Sequence, residues 1–203
     1  MVSDTKKGII LKRIGAYFID ILVVTFAASM LSSISYLNPQ LSKYEDVYKE
    51  YVEIAKSDLS TVDANQILEI NYRLERNNIY GTFINIVLIL IYFVVFQKFN
   101  NGQTLGKKLL GIKIDGNQSL VSYLIRSLIL HNVLINTLKV ALILSISKDK
   151  YIYYSKTILI VELAIEVAII VMIISRSDRR GLHDLIANTD VVFAEENKKC
   201  ITD

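Results

Sequence analysis

Cysteine occurs once, at Cys200, so the chain cannot form a disulfide within itself and its redox compartment goes unmarked. Histidine occurs twice, at His131 and His183, with no cysteine or second histidine close by, so no metal centre is expected. The closing Cys200-Ile201-Thr202-Asp203 has the outline of a prenylation box, but a terminal aspartate is not a residue that such a box favours. Tryptophan is absent and proline occurs once, at Pro39. The net charge is only +3, too little for the basic stripe of a nucleic-acid surface, and no nucleic-acid partner is expected. No nucleophile–base set can be assembled, so neither an enzyme nor a cofactor is expected.

What the chain does have is apolar length. Hydrophobic residues make up 52% and charged residues 21%, too apolar for an ordinary soluble domain and too charged for bare spans. Segregation resolves this, with apolar runs in lipid and charges in the loops. Residues 14–36 form the first run, after a polar tail at 1–13, and carry one charge, Asp20. At about 1.5 Å per residue this run crosses a hydrocarbon core of about 30 Å. It exceeds the apolar core of a signal peptide, and Asp20 would sit badly in one, so cleavage is not expected.

Residues 79–96, 120–146 and 157–175 supply the second, third and fourth spans. Between spans one and two, residues 37–78 read as a helical hairpin outside the bilayer. Asn38-Pro39 breaks the chain, and Tyr44, Val47, Tyr48, Tyr51 and Val52 recur at helical spacing. Ser57-Asp58-Leu59-Ser60 reads as a break, and Asp63-Ala64-Asn65-Gln66 starts a second helix. Residues 97–119 are a Gly/Lys-rich connection, 147–156 a short tyrosine-rich turn, and 176–203 a polar tail.

Lysine and arginine number thirteen over the N-terminal tail, the 97–119 loop and the C-terminal tail, against eight over the 37–78 loop and the 147–156 turn. The positive-inside rule then puts both termini and the Gly/Lys loop in the cytoplasm. Tyr36, Tyr80, Tyr151, Tyr153 and Tyr154 fall at the outer span ends, as an aromatic belt requires. The expectation is an all-α, four-span, multi-pass protein of the cell membrane, with residues 14–193 forming one membrane domain.

Ionisable groups inside spans carry the chemistry, because burying a charge in hydrocarbon costs about 2.5–3.5 kcal/mol even on lenient scales. Arg13 and Asp20 are seven apart, hence near one helix face and about 10 Å apart along it. A third residue, a water or a substrate could bridge them, and Arg126 is a second candidate partner for Asp20. Asn132, Asn136 and Lys139 fall within about a 60° arc, while Glu162 and Glu166 share a face at i, i+4. Lys139 can pair with either glutamate. Asp20, Glu162 and Glu166 are therefore the candidate ion or proton sites, with Arg13, Arg126, Lys139, Lys107 and Asp184 as charge partners. A static polar seam between helices is the alternative reading.

Two connecting stretches complete the picture. Gly102-Gln103-Thr104-Leu105-Gly106-Lys107-Lys108 lacks the spacing and the Ser/Thr of a nucleotide-binding loop. It reads as interfacial, with Leu105, Leu109 and Leu110 dipping into the headgroups and Lys107 and Lys108 meeting anionic lipid. In 177–193, Asp184 is expected to accept from Arg179, Arg180 or Lys107. Asp190-Val191-Val192-Phe193 can form a strand pairing with Ile112-Lys113-Ile114.

Together these stretches resemble the RDD family of membrane proteins, named for an arginine at the start of its first span and two aspartates. Arg13, Ala16 and Asp20 match its opening; Gly102, Thr104, Gly106, Lys107 and Gly111 its inner loop; and Arg126 the arginine that follows. Arg180, Gly181, Leu182, His183, Asp184, Ala187, Thr189, Val191 and Val192 match its closing segment, with Asp184 as the second name-giving aspartate. The long 37–78 loop and Asn188, where a glycine is common, depart from the pattern. The resemblance implies an integral membrane protein proposed to move ligands, in some members cations against protons.

Two functional readings follow. The first is a transporter, cation/proton exchange being one form, that uses intramembrane carboxylates on an unknown small ion or ligand, with a homodimer helping to complete its site. The second is a non-transporting accessory, scaffold or immunity protein that meets a partner membrane protein or toxin through the 37–78 loop.

Overall fold

A computed structural model describes residues 2–56 and 63–194, with side chains from residue 8 onward. The break read at Ser57-Asp58-Leu59-Ser60 and the terminal Cys200 lie outside the described residues. Helix α1 runs Val2–Ser32, and α2 (Leu41–Lys56) and α3 (Ala64–Asn77) follow. Next come α4 (Ile79–Leu90), a π-helical stretch (Ile91–Phe96), α5 (Gln97–Phe99), α6 (Leu105–Leu109) and strand β1 (Ile112–Gly116). The chain continues with α7 (Leu120–Leu130), α8 (Val133–Ser145), α9 (Lys148–Ser175), α10 (Leu182–Ile186) and β2 (Thr189–Phe193).

Among the described residues, three helical stretches are long and apolar enough to cross a membrane: Gly8–Ser32, Ile79–Phe99 and Lys148–Ser175. The expected third span is not one straight helix. It breaks after α7 at His131-Asn132, and α7 and α8 are bent by 66°. They make a fourth crossing only if the bent pair counts as a single span. Asn132 at the break has φ 52°, a left-handed backbone that asparagine tolerates better than most residues. The ends of other elements also shift. The first helix stops at Ser32 rather than residue 36, and α9 begins at Lys148, so residues 148–156 are helical rather than a turn.

The chain divides into two compact units. The first combines α1 up to Val24, Ile89–His131 and the chain from Ile165. Its core is Ala16, Val94, Ile112, Ile114, Tyr123 and Val191, with Ile9, Leu90 and Leu110 packed against it. The strand pairing read from the sequence is present. β1 and β2 are antiparallel, with Ile112 opposite Phe193 and Ile114 opposite Val191. Alternation buries Ile112 and Ile114 while Lys113 and Asp115 stay less covered. The turn before β2 puts Asn188 at φ 51°, which explains in physical terms why a glycine suits that position.

The second unit spans Thr25–Leu88 and Asn132–Ala164. The expected hairpin is there: α2 packs on α3, Val47 and Ile70 are buried, and Arg73 donates to Glu50 at 2.9 Å. Asp63 caps α3 by accepting from the Asn65 N–H. Tyr151, expected in an aromatic belt, is instead 2% exposed and donates to the Glu75 carboxylate beside Tyr72. A phenol with an acidic partner is better satisfied there than at an interface.

The tightest approach in the first unit is at Gly106. A Cβ there would lie 2.3 Å from the Ala16 carbonyl oxygen and 2.9 Å from Asp20 Oδ1. Gly106→Ala should therefore force α6 off α1 and lower stability by about 1–3 kcal/mol. Gly8→Ala, inside α1 with open space around its Cβ, should leave stability unchanged or raise it by up to about 1 kcal/mol. Thermal unfolding of the two variants in the same detergent checks this; equal midpoints would refute it.

Candidate functional site

Asp20 lies on α1 inside a span and is 0% exposed. It is reached by three donors from the segment 92–106. The Tyr92 hydroxyl donates to Oδ1 at 2.7 Å, the Gly106 N–H to Oδ1 at 2.8 Å, and the Thr104 hydroxyl to Oδ2 at 2.5 Å. Local sequence explains each donor. Thr104 caps α6, its oxygen accepting from the Lys107 N–H while its proton goes to Asp20. Gly106 lets the backbone come close enough for its N–H to reach the carboxylate. Tyr92 sits in the π-helical stretch, a form that recurs at functional sites, and its hydroxyl also accepts from the Leu105 N–H at 3.0 Å.

Lys107 was expected at the lipid headgroups. It turns inward instead, its Nζ 3.9 Å from Asp20 Oδ2, 3.3 Å from Thr104 Oγ1 and 3.4 Å from Gln97 Oε1. It also lies over the Phe93 ring. Burial pushes its ammonium down to about 8; Asp20 opposes that shift, and Arg126 and Arg13 reinforce it. Leu105 and Leu109 do stay exposed, whereas Leu110 packs against the core.

The second cluster centres on Asp184, also 0% exposed. The Arg13 Nη2 donates to Oδ2 at 2.5 Å, Arg126 Nη1 donates to Oδ1, and the Gly181 N–H donates to Oδ2 at 3.0 Å. Arg13 also donates to the Arg179 carbonyl at 2.7 Å, and Arg126 to the Thr189 hydroxyl at 2.6 Å. Of the donors expected for Asp184, Arg180 reaches its backbone carbonyl rather than its carboxylate, and Lys107 goes to Asp20. Burial pushes the Asp184 carboxyl up, but Arg126, His183 and Arg13 outweigh it and hold it well below the usual carboxylate range. Burial lowers His183 to about 3, only partly opposed by Asp184, so the imidazole is neutral.

So Arg13 and Asp20 are not each other's partners, and Arg126 is the partner of Asp184 rather than of Asp20. The two clusters instead line one cavity of about 430 Å³, walled by Arg13, Asp20, Lys107, Arg126, Glu166 and His183 among apolar residues such as Ile14, Phe93, Ile170 and Ile173. A space of that size admits a small organic molecule. His131 lines it too, stacked between Tyr17 at 5.7 Å and Phe93 at 3.7 Å between ring centroids. The Nδ1 atoms of His131 and His183 are buried without a hydrogen-bond partner, a condition that costs about 1–3 kcal/mol each. Among the described residues no group of three or more His, Cys, Asp and Glu could hold a metal ion.

Of the remaining predicted residues, Lys139 and Glu162 lie in the second unit and Glu166 in the first. Lys139 pairs with Glu162 at 2.7 Å, and Asn132 donates to the same carboxylate at 3.2 Å. The pair read from the sequence is thus present, in the Glu162 form. Glu166 lines the cavity of the first unit. Sequence reasoning missed Tyr92, because a tyrosine in an apolar run carries no signal. It also missed Thr104 and Gly106 as ligands of Asp20, although both were visible as matches to the inner-loop pattern.

Asp184→Asn should strand two buried guanidinium groups and cost about 3–5 kcal/mol, since breaking a buried pair leaves an uncompensated charge. Because the folded carboxyl titrates below its unfolded value, its contribution is present above the ordinary carboxylate range and lost as pH falls beneath it. Unfolding midpoints of wild type and D184N should therefore converge in acid. A constant gap from neutral to strongly acidic pH would refute this.

A family model described as the RDD family matches residues 8–188. No curated protein and no solved structure matches the chain.

Proposed function

The chain belongs to the RDD family, and we propose that it is a proton-coupled transporter whose solute, a small organic anion, occupies the cavity beside Lys107. The carrying observation is that one cavity of about 430 Å³ gathers Arg13, Lys107 and Arg126 with Asp20 and Glu166 in a protein of apolar helices. A scaffold has little use for Arg13, Asp20, Lys107 and Arg126 so far out of solvent, because well-packed apolar residues of similar volume serve stability as well or better. Both oxygens of Asp20 already accept from protein donors, so Asp20 acts as the anchor of the inner loop rather than as the ion site. Lys107 takes the titrating role, with Glu166 lining the same cavity. Lys139 and Glu162 act as a paired seam. The chain crosses the cell membrane four times with both termini in the cytoplasm, the bent α7–α8 pair counting as one crossing.

Two other readings are kept apart by the same experiment. Cation/proton exchange rests on Glu166 at the cavity wall. A static accessory role through the α2–α3 hairpin is favoured by the full occupancy of Asp20 and Asp184.

Proteoliposomes with an entrapped pH dye should take up at least one of acetate, succinate and octanoate with accompanying proton movement. A charged Lys107 is required for anion binding, so uptake should be full below about pH 8 and fall above it. Lys107→Gln should abolish uptake, and Lys107→Arg should keep it above that pH. Sodium- or potassium-driven proton flux without anion uptake would replace this reading with cation exchange. No flux of any kind would leave the accessory role.

A further inference from the structure

The cavity of the first unit has a polar end and a hydrocarbon side. At the polar end stand Lys107, Arg126 and two buried imidazoles, His131 at 8% and His183 at 1% exposure. The Nδ1 of each imidazole has no hydrogen-bond partner in the protein. Stacking between Tyr17 and Phe93 fixes the His131 ring, so it cannot swing to find one. The His183 Nε2 lies 3.4 Å from Asp184 Oδ2, which draws the ring proton to that side and leaves Nδ1 as an acceptor. The oxygens of an anionic head accept from Lys107 or Arg126 and from the His131 ring in its Nδ1–H tautomer, and a phosphoryl head that keeps a hydroxyl donates it to the His183 Nδ1.

The hydrocarbon side is formed by Ile14 of α1 and Ile169, Ile170 and Ile173 of α9. Ile14 is 60% exposed and Ile170 57%, and both lie on stretches apolar enough to span a membrane. In a bilayer these two side chains would meet acyl chains, and both also line the cavity. A sugar or a bare ion would leave this wall uncovered.

We propose that the cavity is a binding site for an anionic amphiphile, whose hydrocarbon chain lies along Ile14, Ile170 and Ile173 and whose carboxyl or phosphoryl head meets Lys107, Arg126 and the two imidazoles. The proposal rests on the transport reading of the same cavity and names its solute class. Entry is from the bilayer, between α1 and α9, so the chain need not cross water to bind.

The test is equilibrium binding of palmitate to the purified full chain in detergent, with methyl palmitate as the uncharged comparison. Palmitate should bind at least about tenfold more tightly than the ester. His131→Phe keeps the aromatic stack and removes the nitrogens. Ile170→Trp, at an exposed position that folding tolerates, obstructs the hydrocarbon side. Each should weaken palmitate binding about fivefold or more. Displacement of palmitate by phosphatidylglycerol but not phosphatidylcholine would assign the head to an acidic phospholipid; no displacement by either would assign it to a free fatty acid. Equal affinity for palmitate and its ester, or wild-type affinity in both variants, would overturn the proposal. Palmitate binding without uptake in proteoliposomes would retain this site and remove the transport reading. Uptake of another organic anion without palmitate binding would do the reverse.

Discussion

A charge placed among apolar helices must be met by protein partners, donors for a carboxylate and acceptors for a guanidinium, and α1 carries one of each, Asp20 and Arg13. Each is met by a different distant segment. Asp20 draws in Tyr92, Thr104 and Gly106, while Arg13 reaches Asp184 beyond the last long helix. The small sheet follows from the same demand, because β1 leads directly from α6 and β2 directly from α10. Pairing the two strands closes the loops that carry Thr104–Lys107 and Gly181–Asp184 into one layer over Ala16 and Tyr123. The polar contacts fix which segments meet, and burial of Ile112, Ile114 and Val191 supplies the apolar area that holds them there.

The same arrangement sorts the ionisable residues by what they are free to do. Asp20 and Asp184 have their oxygens filled by protein donors and behave as fixed anchors. Lys107 is different. Its ammonium is buried but only loosely approached, 3.9 Å from the nearest carboxylate oxygen, and its proton is held weakly for a lysine. Two buried imidazoles with unpaired Nδ1 atoms stand in the same cavity. Anchors, a labile proton and unfilled hydrogen-bonding capacity therefore share a small volume. That combination points to a site that receives something, more than to a seam that only joins helices.

Much of this was legible in the sequence, for reasons of scale. Apolar runs long enough to span a bilayer, the alternation in 112–114 and 190–193, and the helical spacing in 44–52 are local signals that tertiary context did not override. The Lys139–Glu162 pair was accessible because hydrocarbon leaves an ionised side chain few alternatives. Proximity in sequence misled where the true partner was remote. Arg13 and Asp20 share a helix and invite pairing, yet each bonds to a residue more than seventy positions away. Lys107 was assigned to lipid from its neighbours, but Thr104 starts a short helix whose direction carries it inward. The helix break at Asn132 depends on a left-handed backbone that no periodicity reveals.

Asp184 lies 171 residues after Arg13 and 58 after Arg126. A ribosome delivers the first helix to the membrane long before it makes the carboxylate that neutralises it. Until then, two arginines of the nascent protein have to be kept at the water interface or by the insertion machinery. The closing aspartate therefore completes the charge balance last: a chain truncated before it carries an unmatched pair of positive charges.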